Sequence, residues 1–267
     1  MNGSKMMCVV AVSALAGSAM GGVSGDWLMS DFDGGFYSYE QGSGAAVSIG
    51  SIPSDVIGIE FDGSGNLFAM TTFVGGGAFY SINPANGSWS LVGNSGLSQP
   101  IEGDLAWDSR SGQMYGCYGD SASNSLYTID TMTGVATVVG AMEEDDISGL
   151  VFDGSGRLWG VDTNTNGSDV ADLVEIDKST GGVLSRVSLG IQINGPLLGM
   201  DINDMTGEIY MAMDNGNFYS VDVDMGLATF VDTHGVFTAT GLAYGIPAPG
   251  SVMALVGAGL VGVRRRR

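Results

Sequence analysis

A unit of strand, tight turn and strand recurs along this chain, and a repeat of that kind fixes the architecture before any single residue does. Its clearest copy opens at Ser148 with SGLVFDGSGRLWGV and runs to Gly190 through DLVEIDKSTGGVLSRVSLG. Aligning on its turn residue, Asp153, places Asp62, Asp108, Asn203 and Gly245 at the same position, one unit about every 45 residues. A second register runs beside the first. Asn83, Asp130, Asp177, Asp222 and Glu40 each close an apolar run, and a glycine follows four residues later at Gly87, Gly134, Gly181, Gly226 and Gly44. The short polar side chain bonds the backbone ahead of it, and glycine accepts the positive φ that closes a hairpin. Each unit therefore reads as four strands joined by a constant first turn, a variable loop and a constant last turn.

Four short strands per unit of about 45 residues are the signature of a propeller blade. Complete units run near 56–93, 104–140, 148–190 and 198–231. A lone first strand remains at Gly241–Tyr244, and strands two to four remain at Trp27–Ser30, Phe36–Tyr39 and Ala45–Ile49. The expectation is an all-β, five-bladed β-propeller over residues 26–245. The C-terminal strand pairs with the N-terminal ones and leaves only protected edges. Phe61, Trp107, Phe152, Ile202 and Tyr244 then form one aligned ring, and Tyr37, Tyr80, Tyr127, Val174 and Tyr219 another. Both are expected to pack blade against blade.

Charge restricts the partners. Lys5 and Arg264–Arg267 are terminal, so the repeat region keeps only Arg110, Arg157, Lys178 and Arg186 against all 29 acidic residues. Such a field repels nucleic-acid phosphate and argues against acidic substrates. The variable loops and the blade-to-blade connections open on one face, the usual place for a site on a repeat scaffold. That face is expected to carry Glu102, Asp120, Glu143, Glu144, Asp145, Asp146, Asp162, Asp169 and Asp214, hard oxygen donors that suit a cation such as Ca²⁺. Glu60 and Asp201 share one aligned position and Asp104 lies two residues earlier in its own copy, so the three are candidate channel carboxylates. Convergent acids on a five-bladed ring would resemble certain glycoside hydrolases, in which an acid and a base flank the sugar bond. His234 is the only histidine, which disfavours multi-imidazole metal sites and a conventional hydrolase triad. Cys117 has no partner once residues 1–25 are removed, and it reads as a small buried hydrophobe.

The ends speak about destination. Residues 1–25 carry Lys5, an apolar run and then small residues, the composition of a signal peptide cut by signal peptidase. Residues 246–267 run from Pro247, Ala248 and Pro249 through SVMALVGAGLVGV to Arg264, Arg265, Arg266 and Arg267. The apolar stretch of about 13–15 residues is short for a full span, and the arginines would hold the cytoplasmic side. Proline motif, short apolar helix and basic end together resemble the PEP-CTERM sorting signal of exported bacterial proteins, with Ala248 standing at the motif's central glutamate. The resemblance implies recognition by an exosortase-like enzyme, transient membrane anchoring, and delivery to the cell surface or extracellular matrix. The expected function is a non-catalytic binding, structural or adhesion module that meets a glycan or surface protein through its variable-loop face. The alternative is an extracellular glycan hydrolase or lyase working through the channel carboxylates.

Overall fold

The computed structural model describes residues 26–245 except 73, 99–100, 119–123, 143–145, 164–169, 194 and 196. The signal peptide expected over residues 1–25 and the sorting segment expected over residues 246–267 lie outside the described residues. Twenty strands make five four-stranded antiparallel sheets. The first blade joins β20 (Ala239–Tyr244) to β1 (Trp27–Asp31), β2 (Gly35–Tyr39) and β3 (Val47–Ser51). The second holds β4 (Val56–Phe61), β5 (Leu67–Thr71), β6 (Ala78–Ile82) and β7 (Trp89–Asn94). The third is β8 (Leu105–Asp108), β9 (Gln113–Tyr118), β10 (Asn124–Ile129) and β11 (Ala136–Met142). The fourth is β12 (Ile147–Phe152), β13 (Leu158–Asp162), β14 (Val170–Ile176) and β15 (Val183–Gln192). The fifth is β16 (Leu198–Ile202), β17 (Ile209–Met213), β18 (Asn215–Asp222) and β19 (Leu227–Phe237). Among the described residues no helix is long and apolar enough to cross a membrane.

The ring closes as the repeat count requires. Trp27 pairs with Tyr244, Leu28 with Ala243, Met29 with Leu242 and Ser30 with Gly241. Each inner strand touches the next around the axis, β20 against β4 and β16 against β20 included. The apolar core is divided accordingly into five clusters, one at each blade interface. The closing seam is the most aromatic of them. Trp27 lies 5.1 Å from Tyr210, 5.5 Å from Phe218 and 4.8 Å from Tyr244, and rings meeting edge to face at such distances add to the ~1.5–3 kcal/mol that each buried side chain contributes.

Turn chemistry builds the hairpins. Asp62 Oδ1 accepts the Ser64 and Asn66 amides at 2.9 and 2.8 Å, and Asp153 Oδ1 accepts those of Ser155 and Arg157 at 2.9 Å each. In the last turns, Asp130 Oδ1 takes the Met132 amide at 2.8 Å while Gly134 adopts φ 75°. The tyrosine ring departs from expectation. Tyr127 and Val174 are buried, but Tyr37, Tyr80 and Tyr219 are only half-buried. The pairing of strands three and four shifts register beside each of these three tyrosines, at Phe36/Tyr37, Phe79/Tyr80 and Phe218/Tyr219. It also shifts at Leu126/Tyr127, where Tyr127 stays fully buried, so the shift by itself does not set the exposure. At all four shifts the preceding residue, Phe36, Phe79, Leu126 or Phe218, is fully buried.

Candidate functional site

The innermost strands β20, β4, β8, β12 and β16 surround the axis, and each has a ladder partner on its outer side only. Backbone N–H groups on the axial edge must find another acceptor. Three positions before the aromatic ring the blades carry Gly58, Asp104, Gly149, Gly199 and Gly241. The glycines let inner strands approach: a Cβ on Gly199 would meet the Leu242 nitrogen and backbone of Gly241. Where the third blade substitutes an aspartate, its carboxylate fills the space the glycines leave. Asp104 Oδ1 accepts the Leu105 amide at 2.9 Å, and Oδ2 accepts those of Leu150 at 3.1 Å and Met200 at 3.0 Å. One side chain thus ties β8, β12 and β16 together across the axis.

Glu60 and Asp201 stand one position before the aromatic ring and serve the next row of amides. Asp201 Oδ1 accepts Ile202 N–H at 2.7 Å and Oδ2 accepts Tyr244 N–H at 2.5 Å, across the seam from β16 to β20. Glu60 Oε1 accepts Phe61 N–H at 2.6 Å, whereas its Oε2 has no hydrogen-bond partner among the described residues. Burial pushes all three carboxyls upward, Glu60 with a further push from the charge of Asp201, and the amide bonds only partly oppose it. Glu60 and Asp201 share a cavity of about 140 Å³ at one mouth of the channel, whereas Asp104 is not among its lining residues. The cavity is walled by Phe61, Trp107, Phe152, Ile202 and Tyr244 and rimmed by Asp62, Asp153 and Asp204. The aligned aromatic ring therefore does more than pack blades together.

That mouth belongs to the hairpins between first and second strands, opposite the variable loops. At the loop end Glu102 and Asp146 are neighbours. Burial and the charge of Asp146 push the Glu102 carboxyl up to about 7, and its Oε2 is buried without a partner. Asp162 is held by Arg186 at 2.9 Å. Asp214, on the next blade, is raised by burial, and its Oδ1 is buried and unpartnered. Asp120, Glu143, Glu144, Asp145 and Asp169 lie outside the described residues. No group of three or more His, Cys, Asp or Glu among the described residues is placed to hold a metal ion.

Sequence reasoning overlooked the hairpin-face cavity. Its signal was present in the alternation of the inner strands, glycine or Asp104, then Ile or Leu or Met, then acid or small residue, then aromatic. The fold defines the chain as a five-bladed β-propeller with a carboxylate-capped channel. It is similar to a chain in the crystal structure of a nidogen/laminin complex, at TM-score 0.54 and 13% identity over 83% of this chain and 98% of that one. A structural-genomics protein from Bacteroides thetaiotaomicron matches 76% of this chain at TM-score 0.46 and 15% identity, and about half of that protein, 49%, is covered. No protein-family model matches the chain, and no curated protein matches it.

Proposed function

We propose that the protein is an exported binding module of the cell surface or extracellular matrix, without catalytic turnover, that meets its partner through the variable-loop face. The observation that carries the non-catalytic part is the occupancy of the channel acids. Asp104 and Asp201 have every oxygen committed to backbone amides. A glycosidase needs two carboxyls free to face one bond, and here a single oxygen, Glu60 Oε2, is left. The loop face supports binding because its connections vary in length around a rigid ring, and because Glu102 and Asp214 keep buried oxygens unsatisfied there. Likeness in fold to a chain from a nidogen/laminin complex is in keeping with a binding role. The termini support export, signal peptidase cleavage, processing by an exosortase-like enzyme and transient membrane anchoring. Extracellular glycans or another surface protein fit as partners, with calcium as a bridging ion for the acidic loops.

The test is a binding panel of neutral and anionic polysaccharides, with and without calcium, against the full chain and a Glu102→Lys/Asp146→Lys double variant. Binding to a neutral glycan that falls about tenfold in the variant, with no release of reducing ends, is the expected result. Turnover that survives loop-face reversal and disappears in Glu60→Gln would overturn it.

A further inference from the structure

We propose that the cavity at the hairpin mouth of the channel is a site for a small alkylammonium ion, held by Glu60 and caged by Phe61, Trp107, Phe152 and Tyr244. It lies at the opposite end of the molecule from the loop face, so it is a second site.

Three independent features converge there. The first is Glu60 itself. It is only 5% exposed, it lines the cavity, and one of its two carboxylate oxygens is left without a hydrogen bond among the described residues. That oxygen opens onto the cavity rather than being sealed inside the protein, so it is free to meet an incoming donor or cation. The second is the wall. Four aromatic side chains from four different blades line one small cavity, and the faces of such rings attract a cation whose charge is spread over carbon better than they attract a hydrated metal ion. The third is the surrounding charge. Asp62, Asp153, Asp201 and Asp204 border the same space. The basic groups beside it already have partners. Arg157 is bonded to Asp153 and Asp224 at 2.7 and 2.8 Å, Arg110 to the Gly154 carbonyl at 2.9 Å, and Lys178 to Asp108 at 2.6 Å with its ammonium 5.3 Å from the Phe152 ring centre. Asp62 and Asp204 are therefore the rim carboxylates left without an ion pair among the described residues.

Size and donor set narrow the ligand. A volume of about 140 Å³ has room for a headgroup of four or five heavy atoms at ~30 Å³ each, but not for a sugar ring with its hydration. The donors do not suit a bare divalent ion, since no described cluster of three acids is placed to coordinate one. Because burial holds the Glu60 carboxyl above its ordinary range, a bound cation drives a proton off it, and by linkage affinity rises with pH.

The experiment is calorimetric titration of the full chain with tetramethylammonium chloride, a methylated headgroup, and with n-butylammonium chloride, the tip of a lysine side chain. The neutral isostere of the first is tert-butanol, with five heavy atoms in the same shape, and sodium chloride fixes the ionic strength. At least one ammonium ion should bind about tenfold or more tightly than the alcohol, with an affinity that rises with pH and with proton release. The tighter of the two identifies the source, a methylated metabolite or a lysine of a partner protein. Glu60→Gln and Trp107→Leu should each weaken binding severalfold, with an unchanged circular dichroism melt confirming that they fold. Equal binding of the alcohol, displacement by sodium at matched concentration, or undiminished binding by folded Glu60→Gln would each overturn the proposal. Because wild-type protein with isosteres is itself decisive, a variant that failed to fold would not shelter the idea.

Discussion

The two ends of the channel pair their charges differently. At the hairpin end the rim charges are paired across blade seams, although Glu60 in the channel mouth keeps one oxygen free among the described residues. At the loop end the pairs of Arg186 with Asp162 and Asp172 stay within the fourth blade. Lys178 reaches from the fourth blade to Asp108 of the third at 2.6 Å, and Arg157 reaches from the fourth blade to Asp224 of the fifth at 2.8 Å. At the loop end the Glu102 carboxyl has been lifted to about 7 and keeps a buried oxygen with no partner, as does Asp214. Short turns of constant length let a side chain from one blade meet the next in a fixed geometry, so ion pairs there cross the seams. Loops of varying length offer no such constancy. A face that leaves polar atoms unsatisfied has given up stability for something, and ligand binding is the usual reason.

Asp104, at the waist between the two ends, provides the largest expected effect. Asp104→Ala orphans three buried amides from three blades, which should cost on the order of 3 kcal/mol or more in urea unfolding. Asp104→Asn should recover only part of this, since only one of its two amide positions can accept: the nitrogen must face either Leu105 or the pair Leu150 and Met200. A loss within the ~0.5 kcal/mol of ordinary surface substitutions would mean that the channel amides are satisfied by water and that the waist is no different from the ends.

How much of this was legible in the sequence divides along the same lines. The blade number, the split first blade and the turn positions were readable, because an Asx residue bonding two amides ahead and a glycine at positive φ are local chemistry repeated at fixed spacing. The closing pair of Trp27 with Tyr244 followed from counting leftover strands. The role of Asp104 was not readable, because an unpaired axial N–H exists only once five inner strands face one another. Its trace, an aspartate in a column of glycines, has no meaning before the ring is closed. The half-exposure of Tyr37, Tyr80 and Tyr219 was hidden for a related reason: the same register shift lies beside the buried Tyr127, so exposure depends on what the neighbouring blade covers, which the spacing along one strand does not carry. The repeat alignment puts Glu60, Asp104 and Asp201 on the channel side, but it does not reveal that the ring one position after Glu60 and Asp201 walls a cavity those two share.

The paired end can be broken at Lys178. Burial by itself raises the Asp108 carboxyl, and the Lys178 ammonium, the Ser111 hydroxyl and the Arg110 amide outweigh it, so the net shift is downward. A lowered folded value gives stability that is present above the unfolded carboxylate range and lost as pH falls through it. Lys178→Met keeps the contact over Phe152, where the ammonium sits 5.3 Å from the ring centre, and removes the charge. With Lys178 itself partly exposed, the expected loss is about 1–2 kcal/mol near pH 7, shrinking as pH falls below the ordinary carboxylate range and Asp108 takes up a proton. A penalty that does not change with pH would assign the lysine to packing rather than to the seam charge.

The loop end is sharpened by Glu102→Gln, for which the sign reverses. Glu102 titrates at about 7 in the folded chain and near ~4.3 when unfolded, so the folded state holds its proton through that interval. Stability from this group is therefore full below the unfolded value and falls as pH climbs to about 7, where the carboxylate is charged and buried beside Asp146. Glutamine carries no such penalty. Discounted for its partial exposure, the gain should be about 1 kcal/mol at pH ~8 and nothing at pH ~4, read as the difference between thermal melts of variant and wild type at the two values. The same substitution should weaken loop-face binding, because what destabilises the free chain is the carboxylate oxygen that a partner would satisfy. A variant stabilised at high pH with glycan or protein binding intact would separate the two effects and leave the loop end merely imperfect, without a ligand to explain it.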